Sequence, residues 1–373
     1  VLFNHHSHLF LCDEAADRVR LGLGWQRFLS GFECRGGWVK AIQIEAPGSC
    51  GVIDIPAIEQ ASEGEVLLRV NLVGMCGTDL TTFRGGNAMV EFPRIPGHEV
   101  AATVVSGGGD LAQGTGVTIS PYTSCGVCPS CRRGRVNACR TNRTMGVQRD
   151  GAMQEYVSVP RTRLYRANLS LRELCLVEPL TVGAHAVARG RVSAADTVAV
   201  FGCGGIGLGA IAGAAFRGAR TIAIDMDERK LAIAGKAGAR ELINTAHEDL
   251  HARLFELTNG DGPDVIIEAI GLPLTFRAAV EEVAFTGRVV YIGYAKEPVA
   301  YETRLFVQKE LDILGSRNAL PEDFEEVIRM LEAGRFPVDE AISAIISPEE
   351  AGAKLAEWSE HPGRFTKIVV QFA

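Results

Sequence analysis

The chain has 373 residues, of which 47% are hydrophobic and 22% charged, and its net charge is −7. Those values describe a globular protein of two or three domains, long enough to bury a core without covalent staples. No long run of one charge sign occurs, which argues against a nucleic-acid partner held through phosphate contacts.

Residues 1–37 mix "HHSH", "DEAADRVR" and "GWQRFLSGFECRGG" with no sustained period. Residues 1–38 are therefore expected to form an N-terminal extension outside the fold, with His5, His6 and His8 solvated rather than ligating. No basic start leads into a long apolar run, so a secretory signal is not evident and a reducing, cytoplasmic setting is expected.

From 39 to about 170 the chain reads as short strands broken by turns, among them "GEVLLRVNLVG", "EVAATVVSGGG" and "TGVTISPY". That spacing predicts an all-β unit. From about 180 apolar strands ("TVAVFG", "RTIAIDMD", "DVIIEAIG", "GRVVYIGY", "LDILGS") alternate with helical stretches. The alternation predicts an α/β fold whose parallel sheet is covered on both faces, a doubly wound arrangement. The tail holds a helix, "EDFEEVIRMLEAG", and a last strand, "FTKIVVQFA".

Residues 197–216 carry no charge and match a membrane span in length. Their six glycines suit a span poorly, and strand–turn–helix fits better. No membrane partner is expected. Gly202, Gly204 and Gly207 give G-x-G-x-x-G between a predicted strand and a predicted helix, the context in which that pattern marks a dinucleotide site. Gly202 serves the tight turn, Gly204 the approach of a pyrophosphate, Gly207 close helix–strand packing. The next strand ends at Asp225, which suits the ribose hydroxyls of NAD and repels a 2′-phosphate. Arg229 and Lys230 leave some room for NADP.

Cys125, Cys128, Cys131 and Cys139 have the spacing C-x2-C-x2-C-x7-C. Disulfides suit neither a reducing compartment nor cysteines three apart. An iron–sulfur run would bring its fourth cysteine sooner and follow it with proline, whereas Arg140 follows Cys139. Four thiolates closing a tetrahedral shell make a structural zinc lobe with no position left for substrate. Chemistry is then expected elsewhere.

"GMCGTDLTTFRGG" supplies Cys76, "PGHEVAA" His98 and Glu99, and "VEPLTVGAHA" Glu178. Read singly, these are a buried thiol, a turn histidine and a helix-start acid before Pro179. Together with the cysteine quartet and the glycine motif, over about 39–373, they resemble the zinc-dependent medium-chain dehydrogenases. The branch most resembled comprises the sorbitol, threonine and sugar-acid dehydrogenases. "RGGNAMVEFPRIPGHE", "GVQRDGAMQEYVSVP" and "LGSRNALPEDF" look like enzymes oxidising hexonates such as L-galactonate or L-gulonate at carbon 5.

The resemblance implies a GroES-like catalytic domain, 39–179 and 316–373, and a Rossmann NAD domain, 180–315. It implies two zinc ions per chain and a homodimer or homotetramer. Cys76 and His98 would hold the catalytic zinc, with Glu99 and Glu178 competing for the remaining protein position. Thr78 would start a proton relay whose outer member is commonly histidine; this chain has Thr81. Cofactor contacts by position are Ile206, Asp225, Lys230, Ile292, Gly293, Tyr294, Ser316 and Arg317. Arg84, Asn87, Gln148 and Arg317 are candidate substrate contacts, an arginine suiting a carboxylate. His185 reads as a packed helix residue, Cys175 and Cys203 as core thiols. The expected substrate is a small alcohol, polyol or sugar acid. The rivals are a zinc alcohol or threonine dehydrogenase of other range, and a non-catalytic nucleotide sensor.

Overall fold

Gly48, at φ 78°, turns the first hairpin, in which β1 (Trp38–Ala46) and β2 (Ser49–Pro56) pair antiparallel. This computed structural model describes residues 37–372. The expectations for His5, His6, His8 and most of the N-terminal extension lie outside the described residues. Trp38, placed in that extension, is instead the first residue of β1.

β3 (Glu65–Met75) is long and almost wholly buried, the mark of a central strand. α1 (Gly77–Phe83), β4 (Glu99–Ser106), β5 (Gly116–Ile119), α2 (Pro129–Arg132), β6 (Tyr156–Pro160) and β7 (Leu164–Arg166) follow. The expected all-β unit therefore contains two short helices. Cys76 is the N-cap residue of α1, where Asp79 Oδ2 accepts from the Cys76 N–H at 2.8 Å. Cys128 is the N-cap residue of α2, with Pro129 preset for the first helical position. Both helices thus begin at predicted metal ligands, and that local turn chemistry was hidden beneath the strand pattern.

α3 (Leu171–Arg189) starts at a reciprocal cap between Ser170 and Glu173. Glu178 was expected at a helix start; the cap upstream places it about two turns inside α3, and Pro179 is an interior proline. α3 packs on β4 and β5 on one side and on the next helix, α4 (Gly205–Phe216), on the other.

β8 (Thr197–Phe201) precedes α4. There follow β9 (Arg220–Asp225), α5 (Glu228–Lys236), β10 (Glu241–Asn244), α6 (Leu250–Leu257) and β11 (Val265–Glu268). α7 (Pro273–Glu282), β12 (Arg288–Tyr291), α8 (Arg304–Gln308) and β13 (Asp312–Gly315) complete the unit. The strands form one parallel sheet in the order β10-β9-β8-β11-β12-β13. Strand order reverses between β8 and β11, so a crevice opens at their carboxyl ends. The uncharged stretch 197–216 is the strand, turn and helix that open this sheet. Among the described residues no helix is long and apolar enough to cross a membrane.

α9 (Pro321–Glu332), α10 (Val338–Ala341), β14 (Ala344–Ile346), α11 (Ala351–Glu360) and β15 (Ile368–Gln371) take the chain back to the first unit. β15 lies antiparallel on β3 with Ile368 opposite Met75. The resulting seven-stranded sheet runs β14-β15-β3-β4-β5-β7, with β6 also on β3.

Candidate metal and dinucleotide site

Two groups of metal-ligating side chains converge among the described residues. Cys125, Cys128, Cys131 and Cys139 bring their sulfurs within 4.8 Å of one another, and Cys76, His98 and Glu99 do the same with one ligand atom each. In the first group hydrogen bonds, the Ser130 hydroxyl foremost, hold the Cys128 thiol down to about 5, while burial pushes Cys131 up to about 11. Four sulfurs at that separation fit a closed tetrahedral zinc site.

The second group sits where three elements meet. Cys76 ends β3 and starts α1, His98 immediately precedes β4, and Glu99 is the first residue of β4. The Cys76 thiol also points at Thr78 Oγ1, 3.7 Å away. Glu178 joins from α3 but outside the tight cluster; its Oε1 accepts a hydrogen bond from the buried Tyr122 hydroxyl. Glu99 is differently engaged. Lys367 Nζ donates to both of its carboxylate oxygens at 2.6 Å and to the Met75 carbonyl at 3.3 Å.

The pocket is electrostatically overloaded. Burial pushes the carboxyls of Asp79 and Glu178 up, with Glu99 adding to both, and pushes the Tyr122 phenol well up. Burial alone would lower His98; Cys76, then Asp79 and Glu178, outweigh it and raise it well above the usual imidazole range. His98 Nδ1 and Asp79 Oδ1 are both buried without a partner. Acidic groups gathered in a buried cluster call for added positive charge. A cysteine, a histidine and a carboxylate form the donor set of an open zinc site, so the residues fit that ion.

Most of the residues expected at a dinucleotide lie at the carboxyl ends of β8, β9, β12 and β13. Gly204 is the N-cap residue of α4, and a Cβ built there meets nothing within 4 Å, whereas one at Gly207 would stand 1.8 Å from the Gly202 carbonyl oxygen. Asp225 Oδ2 accepts from the Cys203 N–H at 2.8 Å, inside the glycine turn, and its Oδ1 accepts from Met226 N–H at 2.8 Å. Ile206 lies in the first turn of α4 and Lys230 in that of α5. Past β12 the Ile292 and Gly293 N–H groups donate to the Glu268 carbonyl, and Tyr294 is exposed. Ser316 is buried with Oγ unpartnered, and Arg317 is exposed. Lys367 Nζ lies 3.7 Å from the Cβ position of Gly205, so it borders the glycine turn as well as the Cys76–His98–Glu99 cluster.

Three of the four substrate candidates, Arg84, Asn87 and Gln148, are engaged by other protein groups. Arg84 Nε donates to Ser359 Oγ at 2.9 Å on α11, Asn87 Nδ2 to Thr82 Oγ1 at 3.1 Å, and Gln148 Oε1 accepts from the Thr144 N–H at 2.8 Å. His185 is packed on α3, and Cys175 and Cys203 are fully buried. Asp79, Tyr122 and Lys367 escaped the sequence reading. Lys367 had a visible signal, one charge at the head of an apolar strand.

Residues 62–168 match the model of the alcohol dehydrogenase GroES-like domain, and 205–333 that of the zinc-binding dehydrogenases. L-galactonate-5-dehydrogenase of Escherichia coli is 33% identical over 281 residues, spanning 74% of this chain and 83% of that protein. The chain belongs to the zinc-type medium-chain dehydrogenases. It is an alcohol or polyol dehydrogenase with the GroES-like and Rossmann-type architecture of that family. Two solved structures superpose on 90% of it, each with a TM-score of 0.82. One, an alcohol dehydrogenase of Escherichia coli, is 28% identical, is itself covered to 100% and holds NADH. The other, a zinc-binding dehydrogenase of Sinorhizobium meliloti, is 30% identical, is covered to 99% and holds NADP.

Proposed function

We propose that this member of the family oxidises a secondary alcohol of a polyol or a hexonate-like sugar acid, with NAD as hydride acceptor. The carrying observation is the Cys76–His98–Glu99 donor set at the head of β4, beside the glycine turn that Asp225 braces. When bound, zinc supplies Lewis acidity that makes an alcohol a better proton donor, and NAD accepts the hydride.

The chain's own groups do the rest. Cys76 and His98 hold the ion, and Glu99 or Glu178 completes the protein shell. Glu99 has both oxygens on Lys367 and Glu178 has one on Tyr122, so the second carboxylate is the less restrained of the two. Thr78, two residues beyond Cys76, would accept the alcohol's hydrogen bond at Oγ1 and pass its own hydroxyl proton on towards the ribose of the dinucleotide or to water. Cys125, Cys128, Cys131 and Cys139 hold a second zinc that keeps the lobe folded. Asp225 excludes a 2′-phosphate while meeting the ribose hydroxyls. Arg84, Asn87, Gln148 and Arg317 stand as candidate substrate contacts. The resemblance to L-galactonate-5-dehydrogenase supports the hexonate choice. β13 at the sheet edge, with Ile313 exposed, supports a homodimer or homotetramer.

The test is a panel of hexonates, polyols and L-threonine assayed with NAD and with NADP by nicotinamide reduction, alongside metal analysis. The expected result is two zinc ions per chain and fastest NAD reduction with a hexonate or polyol. A single zinc ion with no turnover on any alcohol would point to the nucleotide-sensing reading instead. Asp225→Ser should erode the preference for NAD over NADP; an unchanged ratio would remove Asp225 from the ribose.

A further inference from the structure

Asn137 lies between the third and fourth cysteines of the quartet and is 1% exposed. Its Nδ2 donates to the Arg317 carbonyl at 2.7 Å and lies 2.9 Å from His185 Nε2. Asn318 Nδ2 donates back to the Asn137 carbonyl at 3.0 Å. His185 Nδ1 lies 2.8 Å from Asp323 Oδ2, and that oxygen also accepts the Leu320 N–H at 2.6 Å. His185 and Asp323 are both buried.

Donor counting assigns the protons. The two N–H bonds of the Asn137 amide go to Arg317 O and to His185 Nε2, so Nε2 accepts. His185 Nδ1 then carries the hydrogen and donates to Asp323. The Asn137 Nδ2, His185 and Asp323 links run in one direction, from the cysteine lobe through α3 to the start of α9, while Asn137 Oδ1 is buried without a partner. His185 follows Glu178 by seven residues on α3, two turns, so both face the same way. The backbone gripped at the far end, Arg317 to Leu320, directly follows Ser316. Asn318 there has φ 53°, a conformation that asparagine tolerates better than most residues.

We propose that Asn137, His185 and Asp323 are positioning residues that couple the cysteine lobe to the dinucleotide site by fixing the segment 316–320. The inference rests on the reading that Ser316 and Arg317 contact the dinucleotide. Past Ser316, whose N–H donates to the Tyr291 carbonyl at 2.9 Å, the segment linking β13 to α9 has no strand ladder of its own. The bonds from Asn137 and Asp323 set where its N–H and carbonyl groups point before the dinucleotide arrives, which lowers the ordering cost of binding.

Equilibrium titration with NADH, followed by nicotinamide fluorescence, tests this on the full chain. Asn318→Gly keeps the left-handed backbone and removes one bond; Asn137→Ala removes two. Asn318→Gly should weaken NADH binding by about 2- to 10-fold, and Asn137→Ala by more. The KM for the dinucleotide should rise while that for the alcohol stays near wild type. Faster amide exchange over 316–320 should accompany both. Wild-type NADH affinity in Asn137→Ala, or in His185→Gln should Asn137→Ala fail to fold, would overturn the proposal. Failure of the wild-type chain to bind NADH would instead overturn the assignment of Ser316 and Arg317.

Discussion

Lys367 Nζ lies 2.6 Å from each carboxylate oxygen of Glu99, with 7% and 1% of the two side chains exposed. The pair joins the two ends of the first unit, since Glu99 opens β4 and Lys367 immediately precedes β15, some 268 residues later. Burial by itself would lower the Lys367 pKa. The Glu99 charge, then Cys76, overcomes it, and the net shift is upward. Lys367 therefore stays charged at neutral pH, and Glu99 has a permanent competitor for any metal ion.

Removing one member should cost much more than removing both. Lys367→Met leaves a carboxylate buried without its cation, a situation that costs about 3–5 kcal/mol. Glu99→Gln combined with Lys367→Met should recover most of that loss. Urea unfolding of wild type, Glu99→Gln, Lys367→Met and the double variant measures it. Additive losses would mean that the two charges do not stabilise each other.

Glycines of one motif should fail in different ways. A Cβ at Gly207 would stand 1.8 Å from the Gly202 carbonyl oxygen, so Gly207→Ala must push α4 off β8 and should lower stability. A Cβ at Gly204 meets no protein atom within 4 Å, so Gly204→Ala should unfold like wild type yet bind NADH at least about tenfold more weakly, because the methyl occupies the approach of the pyrophosphate. Thermal unfolding and NADH titration separate the two. Equal NADH affinity in Gly204→Ala would place the phosphates elsewhere.

Much of this was legible because it depends on spacing. The strand–glycine–helix run from Thr197 and the four cysteines each announce a local geometry, and β8, α4 and the quartet appear where the spacing put them. Long-range partners were not legible. Nothing around Glu99 in sequence points to Lys367, and nothing around Glu178 points to Tyr122; both contacts exist only after β15 and the segment following β5 pack against β3 and α3. The start of α3 was misplaced for a related reason. Pro179 resembles a first-turn proline, but the Ser170–Glu173 cap had already begun the helix.

Acid should loosen the nucleotide-binding unit through Asp196. Its carboxylate accepts from the Ser193 N–H at 2.7 Å and the Ser193 hydroxyl at 3.0 Å, and pairs with Arg288 at the start of β12. Burial opposes ionisation, but these bonds and the Arg288 charge outweigh it and hold the carboxyl below its usual value. A depressed carboxylate contributes stability that is complete above the unfolded pKa, about 3.9, and is lost as pH falls through the lower folded value. Asp196→Asn should therefore be less stable than wild type at pH 7 by about 1–3 kcal/mol, with the gap closing below about pH 4. Unfolding curves between pH 7 and 3 check the sign; a gap that widens in acid would contradict it.

By the resemblance to the medium-chain dehydrogenases, Thr81 stands where the outer member of the proton relay is commonly histidine. Its hydroxyl donates to the Gly77 carbonyl at 2.8 Å, within α1, and is therefore committed to the helix rather than to a relay. Threonine also does not titrate near neutrality, so no group at this position changes its proton affinity between pH 6 and 8. A histidine there has an ordinary pKa of about 6.5 and accepts a proton only above it. General-base help of this kind is worth roughly 10²–10⁴-fold where it operates fully. Alcohol oxidation by wild type should show a shallow rate–pH profile around neutrality. Thr81→His should show a rising limb through about pH 6.5 and a higher plateau. Steady-state rates from pH 5.5 to 9 for both proteins decide the point, and superimposable profiles would mean that the proton leaves by a route that never passes residue 81.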